Sequence, residues 1–134
     1  MINSGIYIHI PFCEKKCNYC NFFSIQKNEE LIDNYVKELC SEIANIGKKQ
    51  NEKISVDTIY LGGGTPSLLN PKNFDLIIDA IDNNYVINNT AEITVEVNPN
   101  SAHYIEDYKK ALIDLYERAK VSIQWSLDRL EEQK

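Results

Sequence analysis

Cys13-Glu-Lys-Lys-Cys17-Asn-Tyr-Cys20 places three of the chain's four cysteines within eight residues. In a reducing compartment such clustering points to metal binding or catalysis rather than to disulfides. Three thiolates at Cys-x3-Cys-x2-Cys spacing on one short loop can each reach a different iron of a cubane. Iron–sulfur clusters usually take four cysteine ligands. A set of three therefore predicts a [4Fe–4S] cluster with one iron open to a small molecule. Zinc is the alternative, with His9 completing a tetrahedral site. Cys40 lies in a helical pattern with Val36, Leu39 and Ile43 and reads as a buried structural thiol.

Two further stretches could do chemistry. Gly62-Gly63-Gly64-Thr65-Pro66 leaves backbone N–H and C=O groups unshielded and allows a ligand to approach closely. It lacks the Gly-Lys-Ser/Thr ending of a nucleotide P-loop. Glu96-Val-Asn-Pro99 ends an apolar alternating run, so the Glu96 carboxylate could accept hydrogen bonds from a hydroxyl or an amino group; an ordinary solvated strand end is the other reading.

These motifs need elements to hold them. Gly5–Phe12 alternates and is β-branched, which predicts a strand. Cys13–Gln26 reads as a loop. Apolar residues at helical spacing predict a helix over Leu31–Ile46, with Gly47 as a stop. Val56–Leu61 reads as a second strand. Asn70-Pro71 is an N-cap and first helical position for a helix carrying Phe74, Ile77, Ile78 and Ile81. Glu92–Val97 is a third strand, Ala102–Arg118 a third helix, and Val121–Trp125 a short fourth strand. Strand alternating with helix predicts a parallel sheet, and all the motifs then fall at its C-terminal edge, where barrel sites assemble.

The strand faces separate two α/β architectures. Ile6, Ile8 and Ile10 oppose Tyr7 and His9; Ile59 and Leu61 oppose Thr58 and Tyr60; Ile93, Val95 and Val97 oppose Thr94 and Glu96; Val121, Ile123 and Trp125 oppose Ser122 and Gln124. An open sheet covered by helices on both faces reads as continuously apolar. One aliphatic face and one polar face predict a partial (β/α) barrel with helices on one side, unless the strand ends are simply polar.

Composition bounds the rest. Hydrophobic residues make up 43% of the 134, enough for one domain with one core. A net charge of −6 disfavours a nucleic-acid partner. No apolar run approaches the ~20 residues of a membrane span. The first ten residues do not read as a signal peptide, so a cytoplasmic location is expected.

The cysteine spacing, with Tyr19 directly before Cys20, resembles the radical S-adenosylmethionine (SAM) superfamily. The wider strings Tyr7-Ile-His-Ile-Pro-Phe-Cys13, Gly62-Gly-Gly-Thr-Pro-Ser-Leu68 and Glu96-Val-Asn-Pro99 look like one branch of it, the oxygen-independent coproporphyrinogen III oxidases and the haem chaperones. The resemblance runs from about Tyr7 to about Ser101. It implies that Cys13, Cys17 and Cys20 ligate a [4Fe–4S] cluster whose open iron chelates SAM. Tyr7, Tyr19, Gly62, Gly63, Gly64, Thr65, Glu96 and Gln124 would then bind SAM, and His9 would face haem or a porphyrinogen. An electron donor such as a flavodoxin-type protein is implied too.

Oxidases of the branch tend to carry another Cys two residues after the triad. Here Cys20 is followed by Asn21-Phe22-Phe23-Ser24, which favours the haem chaperones. Ala119-Lys-Val-Ser-Ile-Gln124-Trp-Ser126 departs from the family's Arg-x-Ser-x-Gly-x-Gln-Ser-like string. The family barrel has six strands, so residues 1–134 are expected to be a single truncated radical SAM core domain, inactive alone. A porphyrinogen oxidase, a non-catalytic iron–sulfur or zinc module, and a plain α/β domain with incidental cysteines are the competing readings.

Overall fold

The computed structural model describes residues 2–13, 25, 26, 28–115 and 120–125. Four strands, β1 (Ile2–Ile10), β4 (Ile54–Gly63), β5 (Val86–Val97) and β6 (Lys120–Trp125), form one parallel sheet in the order β1-β4-β5-β6. A separate parallel pair joins β2 (Phe12–Cys13) to β3 (Ile25–Gln26). Helices α1 (Glu29–Lys49), α2 (Pro71–Asn84) and α3 (Ile105–Leu115) connect the strands.

The split between strand faces is the organising feature. Ile8, Ile10, Ile59, Leu61, Ile93, Val95 and Val97 are buried in one core with Ile32 and Val36 of α1, Phe74, Ile77, Ile78 and Ile81 of α2, and Tyr108 and Leu112 of α3. Tyr7 and His9, on the opposite face of β1, are exposed. Helices on the aliphatic face and polar side chains on the other give the partial (β/α) barrel that the alternation predicts.

Local chemistry sets the element ends. Asn28 caps α1 through a 3.1 Å bond from the Leu31 N–H to Oδ1, and Asn70 caps α2 through a 2.8 Å bond from the Asn73 N–H. Several boundaries differ from the sequence expectation; β4 and β5, for instance, begin earlier, at Ile54 and Val86. The first strand stops at Ile10, and Pro11, which has no N–H for the ladder, separates it from Phe12–Cys13, which pairs with β3 instead. The Cys13–Gln26 loop contains β3. Gly47 does not stop α1, which runs on to Lys49; a β-carbon there would lie 2.9 Å from the Asn84 carbonyl oxygen, so this glycine serves the close approach of α1 to the end of α2. The third helix begins at Ile105 after a 3-10 segment, Pro99–Tyr104, and Arg118 lies outside the described residues.

Among the described residues no helix is long and apolar enough to cross a membrane. Cys40 is half-buried rather than fully buried, with its thiol 3.4 Å from the Leu76 carbonyl. Burial, followed by the charge of Asp79, pushes that thiol's pKa up.

Candidate functional site

The C-terminal ends of β1 and β4 meet residue for residue. Tyr7 pairs with Tyr60, His9 with Gly62 and Ile10 with Gly63. Beyond the ladder, the Gly64 N–H donates to the Ile10 carbonyl and the Thr65 N–H to the Phe12 carbonyl, both at 2.7 Å. These bonds place the glycine run against the segment that carries Cys13.

Each glycine of the run lies under a different candidate side chain or segment. A β-carbon on Gly62 would sit 2.8 Å from Tyr60 Cε1 and 3.0 Å from Glu96 Oε1. On Gly63, whose φ is +108°, it would sit 2.8 Å from two atoms of the His9 ring. On Gly64 it would sit 2.6 Å from the Phe12 oxygen and 3.1 Å from Cys13 Sγ. A side chain at any of the three positions would have to displace Tyr60 and Glu96, the His9 ring or the Phe12–Cys13 segment. The positive φ of Gly63 adds a backbone reason for glycine. Thr65 and Ser67 behind the run are buried, and Ser67 Oγ accepts from the Asn98 N–H at 3.2 Å, which ties this turn to the end of β5.

The polar face carries a connected set of aromatic and ionisable groups. Tyr60 Oη donates to Glu96 Oε1 at 2.7 Å. Tyr7 stacks on Tyr60 with ring centroids 5.9 Å apart, and its hydroxyl lies 3.2 Å from His9 Nδ1. The hydrogen bond to Glu96 is the main reason the Tyr60 phenol is pushed up to about 12, with burial second. Tyr7 is also raised, by burial and then by the Glu96 charge. Both phenols therefore stay neutral near neutral pH, beside a carboxylate. Thr94 is half-buried on the same strand, and the backbone register puts Gln124 of β6 opposite Glu96.

Of the residues singled out from sequence, Tyr7, His9, Cys13, Gly62, Gly63, Gly64, Thr65 and Glu96 gather at one sheet edge. Tyr19, Cys17 and Cys20 lie outside the described residues, and for Gln124 only the backbone register is described. Two residues were not singled out as site residues. Tyr60 is one; its signal was its place two residues before Gly62, on the same face of the strand. Tyr35 of α1 is the other. It donates a short hydrogen bond to the His9 carbonyl and packs edge-on against Phe12, which props the end of β1 from behind. It was hidden in the apolar stripe of its helix.

Comparison with known proteins follows this geometry. A family model described as the radical SAM superfamily matches residues 7–130. A heme chaperone HemW of Buchnera aphidicola subsp. Schizaphis graminum is 38% identical over 119 residues, covering 84% of this chain and 30% of that protein. An oxygen-independent coproporphyrinogen III oxidase of Bradyrhizobium diazoefficiens is 35% identical over 98 residues, covering 72% of this chain and 22% of that one. The solved coproporphyrinogen III oxidase (HemN) of Escherichia coli, described as a radical SAM enzyme, superposes with a TM-score of 0.73 at 29% identity, over 82% of this chain and 25% of that one. This chain spans less than a third of the length of these relatives.

Proposed function

The chain belongs to the radical SAM superfamily, and on that footing we propose that it is a [4Fe–4S]- and SAM-binding protein of haem or porphyrin metabolism, most like a haem chaperone. The observation that carries this reading is the packing of the glycine run against both Cys13 and Glu96. It brings a cysteine sulfur, a turn without side chains and a carboxylate to one edge, which is the donor set that a cluster and an amino-acid-bearing nucleoside require.

In this reading Cys13, Cys17 and Cys20 hold the cluster. Gly62, Gly63, Gly64 and Thr65 would present backbone carbonyls to the amino-acid end of SAM, the Gly64 and Thr65 N–H groups being taken by Ile10 and Phe12. Glu96 accepts from its ammonium or a ribose hydroxyl, with Gln124 on the ribose side, and Tyr7 and Tyr19 supply aromatic faces for the adenine. Cys13, Cys17 and Cys20 would hold a cluster that, when bound, would supply one-electron chemistry for reductive cleavage of SAM. The chain's own contribution is orientation: the phenols of Tyr7 and Tyr60, both raised, add no charge of their own beside Glu96 near neutral pH. His9, exposed on the polar face, would meet haem or a porphyrinogen. A flavodoxin-type protein is the expected electron donor. Residues 1–134 would act as one core domain.

The haem-chaperone assignment draws support from Asn21-Phe22-Phe23-Ser24 after Cys20 and from the HemW relatives. The oxidase reading draws support from the Bradyrhizobium relative and the Escherichia coli structure. Anaerobic reconstitution followed by haem titration and a coproporphyrinogen decarboxylation assay separates them. Stoichiometric haem binding supports the chaperone, decarboxylation supports the oxidase, and an iron-free colourless protein defeats both.

A further inference from the structure

The geometry assigns Tyr60 a role that the proposed function does not use: we propose that Tyr60 is a positioning residue that fixes the Glu96 carboxylate over Gly62 for a cationic or hydroxyl-bearing ligand. The inference rests on the reading of Glu96 as a ligand-binding carboxylate. Three contacts lead to it. Tyr60 Oη donates to Glu96 Oε1 at 2.7 Å. The Tyr60 ring edge and Glu96 Oε1 both lie where a Gly62 β-carbon would be, at 2.8 and 3.0 Å. Tyr7 stacks on Tyr60 with an interplanar angle of 21°, which restricts the ring that carries the donor.

The choice of a phenol has a chemical consequence. Arg or Lys at this position would neutralise Glu96. A neutral phenol orients the carboxylate by a charge-assisted bond and leaves its full negative charge. A carboxylate offers about four lone-pair sites on two oxygens, so one bond from Tyr60 leaves capacity for an ammonium or a ribose hydroxyl. The glycine beneath makes room for the Tyr60 ring edge and the Glu96 carboxylate to sit together. Tyr60 thus acts through Glu96 and need not touch the ligand.

A double-mutant cycle tests this on the reconstituted 134-residue chain, with S-adenosylhomocysteine as the probe in calorimetry. Tyr60→Phe is expected to weaken binding roughly ten- to a hundredfold, the value of one charge-assisted hydrogen bond. In the Glu96→Gln background the same change should cost little further affinity, because the two residues act as one unit. An equal loss in both backgrounds overturns the positioning role. An unchanged affinity on Glu96→Gln alone overturns the reading of Glu96 beneath it. A second readout needs no ligand. In tyrosine carbon NMR, with Tyr60→Phe identifying the signal, Glu96→Gln should bring the Tyr60 titration down from about 12 toward the ordinary value of about 10. An unmoved midpoint shows that the phenol does not hold the carboxylate in solution and overturns the proposal by itself.

Discussion

The Thr65 N–H donates to the Phe12 carbonyl at 2.7 Å, so the glycine turn and the segment bearing Cys13 are one hydrogen-bonded piece of backbone. Two residues more than fifty positions apart in sequence are therefore held together.

Gly64→Ala tests that coupling. Its β-carbon would press on the Phe12 backbone and on Cys13 Sγ at 2.6 and 3.1 Å. We expect a stability loss of about 1–3 kcal/mol, typical of overpacking, together with a fall in reconstituted iron. Gly47→Ala, which presses instead on Asn84, should destabilise similarly yet keep its iron. Urea unfolding and iron analysis on both variants distinguish general damage from damage to the cysteine segment.

The cysteines should differ sharply in iron binding. Cys17→Ser is expected to abolish the visible absorption of a reconstituted [4Fe–4S] cluster. Cys40→Ser should leave it intact, because the Cys40 thiol is directed to the Leu76 carbonyl between α1 and α2. Equal iron content in wild type and Cys17→Ser would sink the cluster assignment.

Tyr108 predicts an alkaline dependence of stability. Its ring stacks on Phe74 with centroids 4.2 Å apart, and its hydroxyl donates a short hydrogen bond to the Leu69 carbonyl. Burial first, then the neighbouring Tyr104 and Asp107, holds its pKa well above the ordinary tyrosine value. A folded pKa above the unfolded one means that this stabilising contribution is complete below pH about 10 and is lost as pH rises further. Tyr108→Phe keeps the stack, should cost about 1 kcal/mol near neutral pH, and should flatten the alkaline fall. Urea midpoints measured from neutral pH upward for both proteins check the sign.

The 134-residue chain should cleave SAM negligibly by itself. In the described sheet β1 and β6 are edges, and Tyr7 on the polar face is 59% exposed. Reactive intermediates need exclusion of water and of side reactions. Iron should still bind, because its three cysteines are local in sequence. Anaerobic dithionite assays beside a full-length relative provide the measurement, and comparable 5′-deoxyadenosine release would show that this sheet suffices.

The sequence by itself determined the parallel order and the sidedness of the sheet. Period-two alternation in Ile6–Ile10, Ile59–Leu61 and Ile93–Val97 calls for burial of the aliphatic face, and the helical segments between the strands supply the cover. Asn70-Pro71 likewise marked its helix, because capping is a contact between near neighbours. The cysteine, glycine and Glu96 motifs were legible as types and spacings. Tertiary structure decided what stands over what. The register of β1 on β4 and of β4 on β5, set through irregularities at Ser4/Gly5 and Val56/Thr58, puts His9 over Gly63 and Glu96 over Gly62. Local sequence carries no record of such pairings, since they join residues 34 to 54 positions apart. The same holds for Gly47, a stop signal by its type but a packing contact with Asn84 in the fold. It holds also for Tyr60, whose partner Glu96 is fixed only when two strands lie side by side.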